Sequence, residues 1–227
     1  SAGASPAFAD GILVCPTSSG AVVAIDLSMR SLLWGFQYPR GSGVDRMDRL
    51  AWMRARAYNQ NERNTHDAWA DSSPTLSGGK VLITPVESDV LYCLNLIDGS
   101  VAWKQDRGSN LYVGGVADDL VVLVGRATIA GINLSDGKIR WQTPFNSAGN
   151  AAPSGRGFLS GDSYFVPLSS AEVVRVDLKD GKILSRARSR KGEVPGNLIC
   201  YRGEVLSQGT NFLECFYQLD ALKAEVA

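Results

Sequence analysis

Along the chain, apolar residues come in runs of four to six, rich in Val, Ile and Leu and cut at short intervals by Gly, Asp, Ser and Pro. Positions 11–14, 21–25, 80–83, 90–94, 120–124, 127–132, 163–166 and 172–176 are the clearest of these runs. Segments this short, with β-branched side chains and turn residues on both flanks, predict strands rather than helices.

The runs recur as a unit. Val23-Ala24-Ile25-Asp26-Leu27 leads to Trp34, Cys93-Leu94-Asn95-Leu96 to Trp103, Gly131-Ile132-Asn133-Leu134 to Trp141, and Val174-Arg175-Val176-Asp177-Leu178 to Ser185. In each, the marker leucine stands seven positions before the last-named residue. Three units carry an Asp-Gly pair between the two, at Asp98-Gly99, Asp136-Gly137 and Asp180-Gly181, where the first has Met29-Arg30. An Asp-Gly pair between apolar runs predicts a type I′ hairpin turn, with positive φ at both central residues. The marker leucines are separated by 69, 38 and 44 residues, and a weaker match at Leu219 follows after 41. A period near forty fits four strands of about five or six residues plus turns, which is the blade of a β-propeller.

The predicted fold is therefore all-β: a β-propeller of four-stranded antiparallel blades at about 5–38, 72–106, 109–145 and 150–188, with a partial fifth at 193–217. Trp34, Trp103 and Trp141 are read as docking residues between neighbouring blades, since each offers a large apolar area once per repeat. The alternative is a row of indoles that stacks a cofactor or sugar. Two segments break the pattern. Residues 39–71 form an insertion in which 45–58 (DRMDRLAWMRARAY) reads as a helix capped at Asp45. Phe216, Leu219, Leu222 and Val226 recur at helical spacing, so 218–227 predicts a helical tail. Four blades and three strands leave open edges, so the chain is expected to be part of a larger propeller with blades upstream, or else a five-bladed ring.

Composition narrows the function classes. Lys plus Arg and Asp plus Glu both number 23, so there is no global field to gather nucleic acid. No run approaches the roughly 18 apolar residues of a membrane-spanning helix, so no membrane insertion is expected. Cys15, Cys93, Cys200 and Cys215 are widely spaced and lie in apolar runs, as buried free thiols would, and His66 is the sole histidine. Neither a histidine-rich metal site nor a histidine triad is therefore expected. Ser1-Ala2-Gly3-Ala4-Ser5-Pro6 has neither the basic start nor the apolar core of a secretion signal.

The motifs CLNLIDGSVAW, GINLSDGKIRW and VRVDLKDGKIL resemble the repeat of the pyrroloquinoline-quinone-type β-propellers. That superfamily includes the quinoprotein alcohol dehydrogenases and the propeller lipoprotein of the bacterial outer-membrane assembly machine. Residues 73–103 and 153–183 are also similar to large planctomycete-type proteins in which such a propeller precedes helical repeats. The dehydrogenase branch implies an adjacent cysteine pair, a calcium held by Glu and Asn, and an Asp base. This chain has no Cys-Cys pair, and its acidic residues sit chiefly in turns or at repeat positions such as Asp26, Asp177 and Asp180. What the resemblance implies is the propeller fold and an extracytoplasmic bacterial setting.

No Ser, Cys or carboxylate pair has the context of a nucleophile or a general acid–base couple, so no catalytic, cofactor-binding or metal residue is assigned and no cofactor is expected. The insertion is the one region the repeat does not explain. It either packs on the sheets through Leu50, Trp52 and Met53, or binds a partner or caps the channel with Trp52, Arg49, Arg54 and Arg56 as anchors. Trp69 and Arg156 are further candidates, Arg156 as a residue that could reach the central channel or as a salt-bridged structural arginine. The expected function is a non-catalytic scaffold or protein-interaction module of a larger extracytoplasmic protein, with self-association through open blade edges as a further option. The alternatives are part of a quinoprotein dehydrogenase binding pyrroloquinoline quinone and calcium, and a sensor holding a small molecule or sugar.

Overall fold

The computed structural model describes residues 5–17, 19–39, 69–86, 88–145, 151–201, 204–209 and 211–216. Among these, every regular element is a strand. The predicted helices at 45–58 and 218–227 lie outside the described residues, and the described flanks of the insertion, residues 39 and 69–71, are not helical.

Nineteen strands form five antiparallel sheets, each a simple meander that we call a blade. Blade 1 holds β1 (Ala7–Ala9), β2 (Ile12–Pro16), β3 (Ala21–Asp26) and β4 (Ser31–Gln37). Blade 2 holds β5 (Thr75–Ser77), β6 (Lys80–Ile83), β7 (Val90–Asn95) and β8 (Val101–Asp106). Blade 3 holds β9 (Asn110–Ala117), β10 (Leu120–Gly125), β11 (Thr128–Asn133) and β12 (Ile139–Pro144). Blade 4 holds β13 (Phe158–Ser160), β14 (Ser163–Leu168), β15 (Glu172–Asp177) and β16 (Ile183–Arg188). Blade 5 has three described strands, β17 (Asn197–Tyr201), β18 (Glu204–Gln208) and β19 (Leu213–Phe216). The chain divides into two compact units, Ser1–Leu111 and Tyr112–Ala227.

The middle strands of blades 2 to 4 are buried on both faces, which is why β10 (LVVLVG) reads as an unbroken apolar run. In the first unit, Ile12, Val14, Val22, Ala24 and Trp34 of blade 1 pack against Val81, Ile83, Tyr92 and Leu94 of blade 2. Phe36 and Tyr92 add an edge-on ring contact at 5.3 Å. In the second unit, Phe165 and Val173 of blade 4 pack against Leu198 and Val205 of blade 5.

The third and fourth strands of each complete blade share one irregularity. Their register shifts by one residue at Ala24/Ile25, Cys93/Leu94, Gly131/Ile132 and Arg175/Val176. The bulge places the Trp position of the outer strand opposite Ala24, Cys93 and Gly131, and Ser185 opposite Arg175. Small residues face the indoles, and the one large residue faces the one small replacement. Blade volume is conserved by paired change, as close packing demands.

The turn geometry differs from the type I′ expectation. Gly99, Gly137 and Gly181 have φ of 69°, 73° and 73°, whereas the aspartates before them are absent from the described residues with positive φ. The loop is longer than two residues: Asn95 N donates to Ser100 O at 2.8 Å and Gly99 N to Asn95 O at 2.9 Å, with the same bonds at Asn133 and Asp177. Only its last residue is left-handed, as in loops built on a type I turn. Two-residue turns with positive φ at both positions do occur in the first hairpin of the blade, at Asp10-Gly11 and Gly78-Gly79.

In blade 1 the glycine position is taken by Arg30, with φ of 52°. A left-handed L-residue costs about 1–2 kcal/mol, offset in part by the greater unfolded-state freedom of glycine. Arg30→Gly is therefore expected to raise the unfolding free energy by about 0.5–1 kcal/mol, measured as a higher urea midpoint at constant slope.

Candidate functional site

The marker leucine and the turn after it form a socket for an indole. Trp34 Nε1 donates to the carbonyl of Leu96 at 2.8 Å, and a Cβ placed on Gly99 would lie 2.5 Å from the Trp34 ring. Trp141 Nε1 likewise donates to the carbonyl of Leu178 at 2.8 Å, and its ring covers the face of Gly181 too closely to admit a Cβ. Thr143 Oγ1 donates to Gly181 O beside it at 2.7 Å. These contacts join blade 1 to blade 2 and blade 3 to blade 4, leaving both rings unavailable for ligand stacking. Trp103 is buried as well.

The turn carboxylates are committed to the same loops. Asp98 accepts hydrogen bonds from Ser100 Oγ at 2.6 Å and Ser100 N at 2.9 Å, and Asp26 accepts from Ser28 Oγ at 2.6 Å. Asp136 accepts from Lys138 N, and Asp180 from Lys182 N, at 3.0 Å each. The serine hydroxyls hold Asp26 and Asp98 below the ordinary carboxylate value, as the Lys138 amide does for Asp136 and the Lys182 side chain for Asp180. Because these pKa values are lower folded than unfolded, their stabilisation is present above about pH 4 and is lost as pH falls through the lowered values. The melting temperature is expected to fall steeply below about pH 4. The combined change Asp98→Asn, Asp136→Asn and Asp180→Asn should flatten that acid limb in a pH series of melting curves.

A second cluster, which carries no repeat marker, lies where β9 meets the start of blade 4. The Tyr112 hydroxyl donates to Gly155 O at 3.1 Å, and Gly157 N donates to the same hydroxyl at 3.4 Å. The Tyr164 hydroxyl is fully enclosed against Gly114 and Gly157 and makes no well-formed hydrogen bond. Burial pushes the Tyr112 phenol up to about 12, and burial together with the neighbouring Tyr112 raises Tyr164 well above its usual range. Both are neutral packing groups. The Arg156 guanidinium lies 5.9 Å from the Tyr112 ring centroid and donates to Val113 O at 3.4 Å, while the Arg156 amide donates to Asn197 Oδ1 at 2.8 Å. Arg156 thus ties blade 4 to blades 3 and 5.

Trp69 is 3% exposed, and its indole N–H makes no hydrogen bond. It is an internal residue of the first unit, placed just before blade 2, where Ala70 N donates to Leu111 O at 2.7 Å. Arg49, Trp52, Arg54 and Arg56 lie outside the described residues. A polar cleft of about 560 Å³ runs between blades 3 and 4, lined in part by Asp118, Asp119, Asp162, Asp177, Arg140 and Lys179. Arg140 pairs with Asp119 and lowers its pKa. Asp177 is bonded to the Lys179 amide at 2.7 Å, so part of the charge lining the cleft is already partnered within it.

No quinone and calcium site is assembled among the described residues. The four cysteines are separate free thiols, with Cys93 pushed up to about 11 by burial, and no three His, Cys, Asp or Glu side chains converge among the described residues. No described helix is long and apolar enough to cross a membrane.

The family model described as outer membrane protein assembly factor BamB matches residues 42–206. Outer membrane protein assembly factor BamB of Yersinia pestis is 33% identical over 135 residues, which are 55% of this chain and 32% of that protein. The chain therefore spans about a third of the length of that curated relative. The crystal structure of BamB from Moraxella catarrhalis superposes with a TM-score of 0.63 at 13% identity, covering 94% of this chain and 60% of that one. Quinohemoprotein alcohol dehydrogenase from Comamonas testosteroni gives a TM-score of 0.59 at 16% identity, covering 90% and 39%. At these identities the two structures speak for the fold alone, and that fold is shared by an assembly factor and an alcohol dehydrogenase.

Proposed function

The chain belongs to the family of PQQ-type β-propeller repeat proteins described as outer membrane protein assembly factor BamB, and on that premise we propose that it is a non-catalytic scaffold that holds protein partners in the bacterial cell envelope. The observation that carries this reading is the commitment of its chemical groups. The turn aspartates bind their own loops, Trp34 and Trp141 fill sockets on the next blade, and the buried phenols and the Cys93 thiol are held neutral. Repeat residues committed to packing in this way offer surface rather than chemistry.

The contact surface is assigned to the insertion, whose Trp52, Arg49, Arg54 and Arg56 are the residue types that dominate interface energetics. Arg156 stays a secondary candidate on the second unit. Trp34, Trp103 and Trp141 are assigned to inter-blade docking, and the setting is extracytoplasmic.

Calorimetric titration of the chain with pyrroloquinoline quinone in the presence of calcium, followed by an assay of alcohol-dependent dye reduction, tests the non-catalytic part of this reading. Neither saturable heat nor dye reduction is expected. Stoichiometric quinone binding with dye reduction would establish the dehydrogenase reading instead.

A further inference from the structure

The sequence holds four Asp-Gly pairs, at Asp10-Gly11, Asp98-Gly99, Asp136-Gly137 and Asp180-Gly181. Such a pair is chemically labile, because a glycine nitrogen, unshielded by a side chain of its own residue, can attack the carboxyl carbon of the aspartate before it. The attack needs two freedoms at once. The carboxyl must swing onto the nitrogen, and the N–H must be released from any acceptor it serves. The fold withholds both at the three later pairs and grants both at the first.

At the later pairs, Gly99 N donates to Asn95 O, Gly137 N to Asn133 O and Gly181 N to Asp177 O, each at 2.9 Å. The carboxylates are held as well: Asp98 by the Ser100 amide and hydroxyl, Asp136 by the Lys138 amide and the Asn133 side chain, and Asp180 by the Lys182 amide. These bonds fix each carboxyl toward the residue after its glycine. They also favour the ionised form, whose carbon is the poorer electrophile.

Asp10-Gly11 is the two-residue turn between β1 and β2, closed by the pairing of Ala9 with Ile12. Among the described residues, neither the Asp10 carboxylate nor the Gly11 N–H has a hydrogen-bond partner; only the Gly11 carbonyl is engaged, by Leu27 N at 3.0 Å. Asp10 is exposed and left-handed, with φ of 50°, a conformation costly for a residue with a Cβ, so the turn gives up little when it opens. The strand before it, β1, is three residues long and pairs on one side only. Stacked blades leave this kind of turn open to solvent. Its counterpart in blade 4, Gly161-Asp162, is exposed although blades 3 and 5 lie on either side.

We propose that Asp10 is a site of spontaneous isomerisation to isoaspartate, so that the first hairpin of blade 1 ages ahead of the other Asp-Gly turns. The Gly11 nitrogen bonds to Cγ of the protonated Asp10 carboxyl, and the amide hydrogen leaves with the carboxyl hydroxyl as water, giving a cyclic imide. Water then adds to either imide carbonyl. Opening one C–N bond restores aspartate; opening the other leaves the chain running through the side-chain carbon, with no net change in mass. The isoaspartyl link adds a methylene to the backbone, and a two-residue turn so lengthened no longer closes Ala9 on Ile12 in register.

The test is incubation of the folded chain in heavy-oxygen water at neutral pH, then transfer to ordinary water for proteolysis and mass spectrometry. Each imide hydrolysis leaves a heavy oxygen in the residue, and electron-transfer fragmentation separates isoaspartate from aspartate. Label and isoaspartate are expected at Asp10 at least about tenfold faster than at Asp98, Asp136 or Asp180. The chain unfolded in guanidinium chloride should react at all four pairs at rates within about threefold of one another, which assigns the difference to the fold. No reaction at Asp10, a folded-state rate at any of the other pairs equal to or above that at Asp10, or a preference for Asp10 that persists undiminished in the unfolded chain overturns the proposal.

Discussion

Replacing Trp141 with alanine is expected to lower the unfolding free energy by about 3–5 kcal/mol, the range seen when a large aromatic is removed from a packed interior. Three losses combine at this position. The indole leaves the contact it makes across Gly131 and Gly181, two glycines that have no side chain with which to fill the space. The Leu178 carbonyl loses the hydrogen bond from Trp141 Nε1. The turn after Leu178 is shaped to take an indole and cannot collapse, because its loop is held by Asp177, Lys182 and Gly181 backbone bonds. Urea denaturation followed by circular dichroism reads the shift in midpoint. Ser185→Ala, at the equivalent position of blade 4, should shift it by no more than about 0.5 kcal/mol, since Ser185 is an exposed side chain.

Gly157→Ala should cost roughly 3 kcal/mol, the upper end for an overpacked interior. A methyl there would lie 2.8 Å from Tyr164 Cε1 and nearer still to the Phe165 carbonyl oxygen, which belongs to the blade 4 ladder and cannot step aside. Gly157 N also donates to the Tyr112 hydroxyl, so a shift at residue 157 should change the near-ultraviolet tyrosine signal together with the denaturation midpoint. An unchanged midpoint would mean that the blade 3 to blade 4 contact is looser than the distances at Gly157 and Gly114 require.

Strand periodicity and the marker leucines made the blades legible from the chain alone, because a four-stranded meander needs a turn residue at every change of direction and this sequence supplies one each time. The indole positions were legible for the same reason. The turn type was not: Asp-Gly is compatible with a two-residue and a longer loop, and the difference lies in whether Asn95, Asn133 and Asp177 pair with Ser100, Lys138 and Lys182. The compensation of Ala24, Cys93 and Gly131 against tryptophan, and of Arg175 against Ser185, needed the bulged register to become visible. The Tyr112 and Tyr164 pair had no local signal, since the two residues sit on different blades and at different positions within them. Arg156 was singled out as a channel residue or a salt-bridged one. Its contacts to the Val113 carbonyl and the Tyr112 ring are partners that no spacing of charged residues reveals.

The proposal that the chain works as a protein-binding scaffold is tested most directly by covalent capture in the envelope of the bacterium that encodes it. A tagged chain and its Trp52→Ala/Arg49→Glu/Arg54→Glu/Arg56→Glu variant would be crosslinked in cells, purified side by side and their partners identified by mass spectrometry. The account predicts that the wild-type chain brings down components of outer-membrane protein assembly and that the variant, melting at the same temperature, loses them. Capture of none of those components, or equal capture by the folded variant, would contradict it.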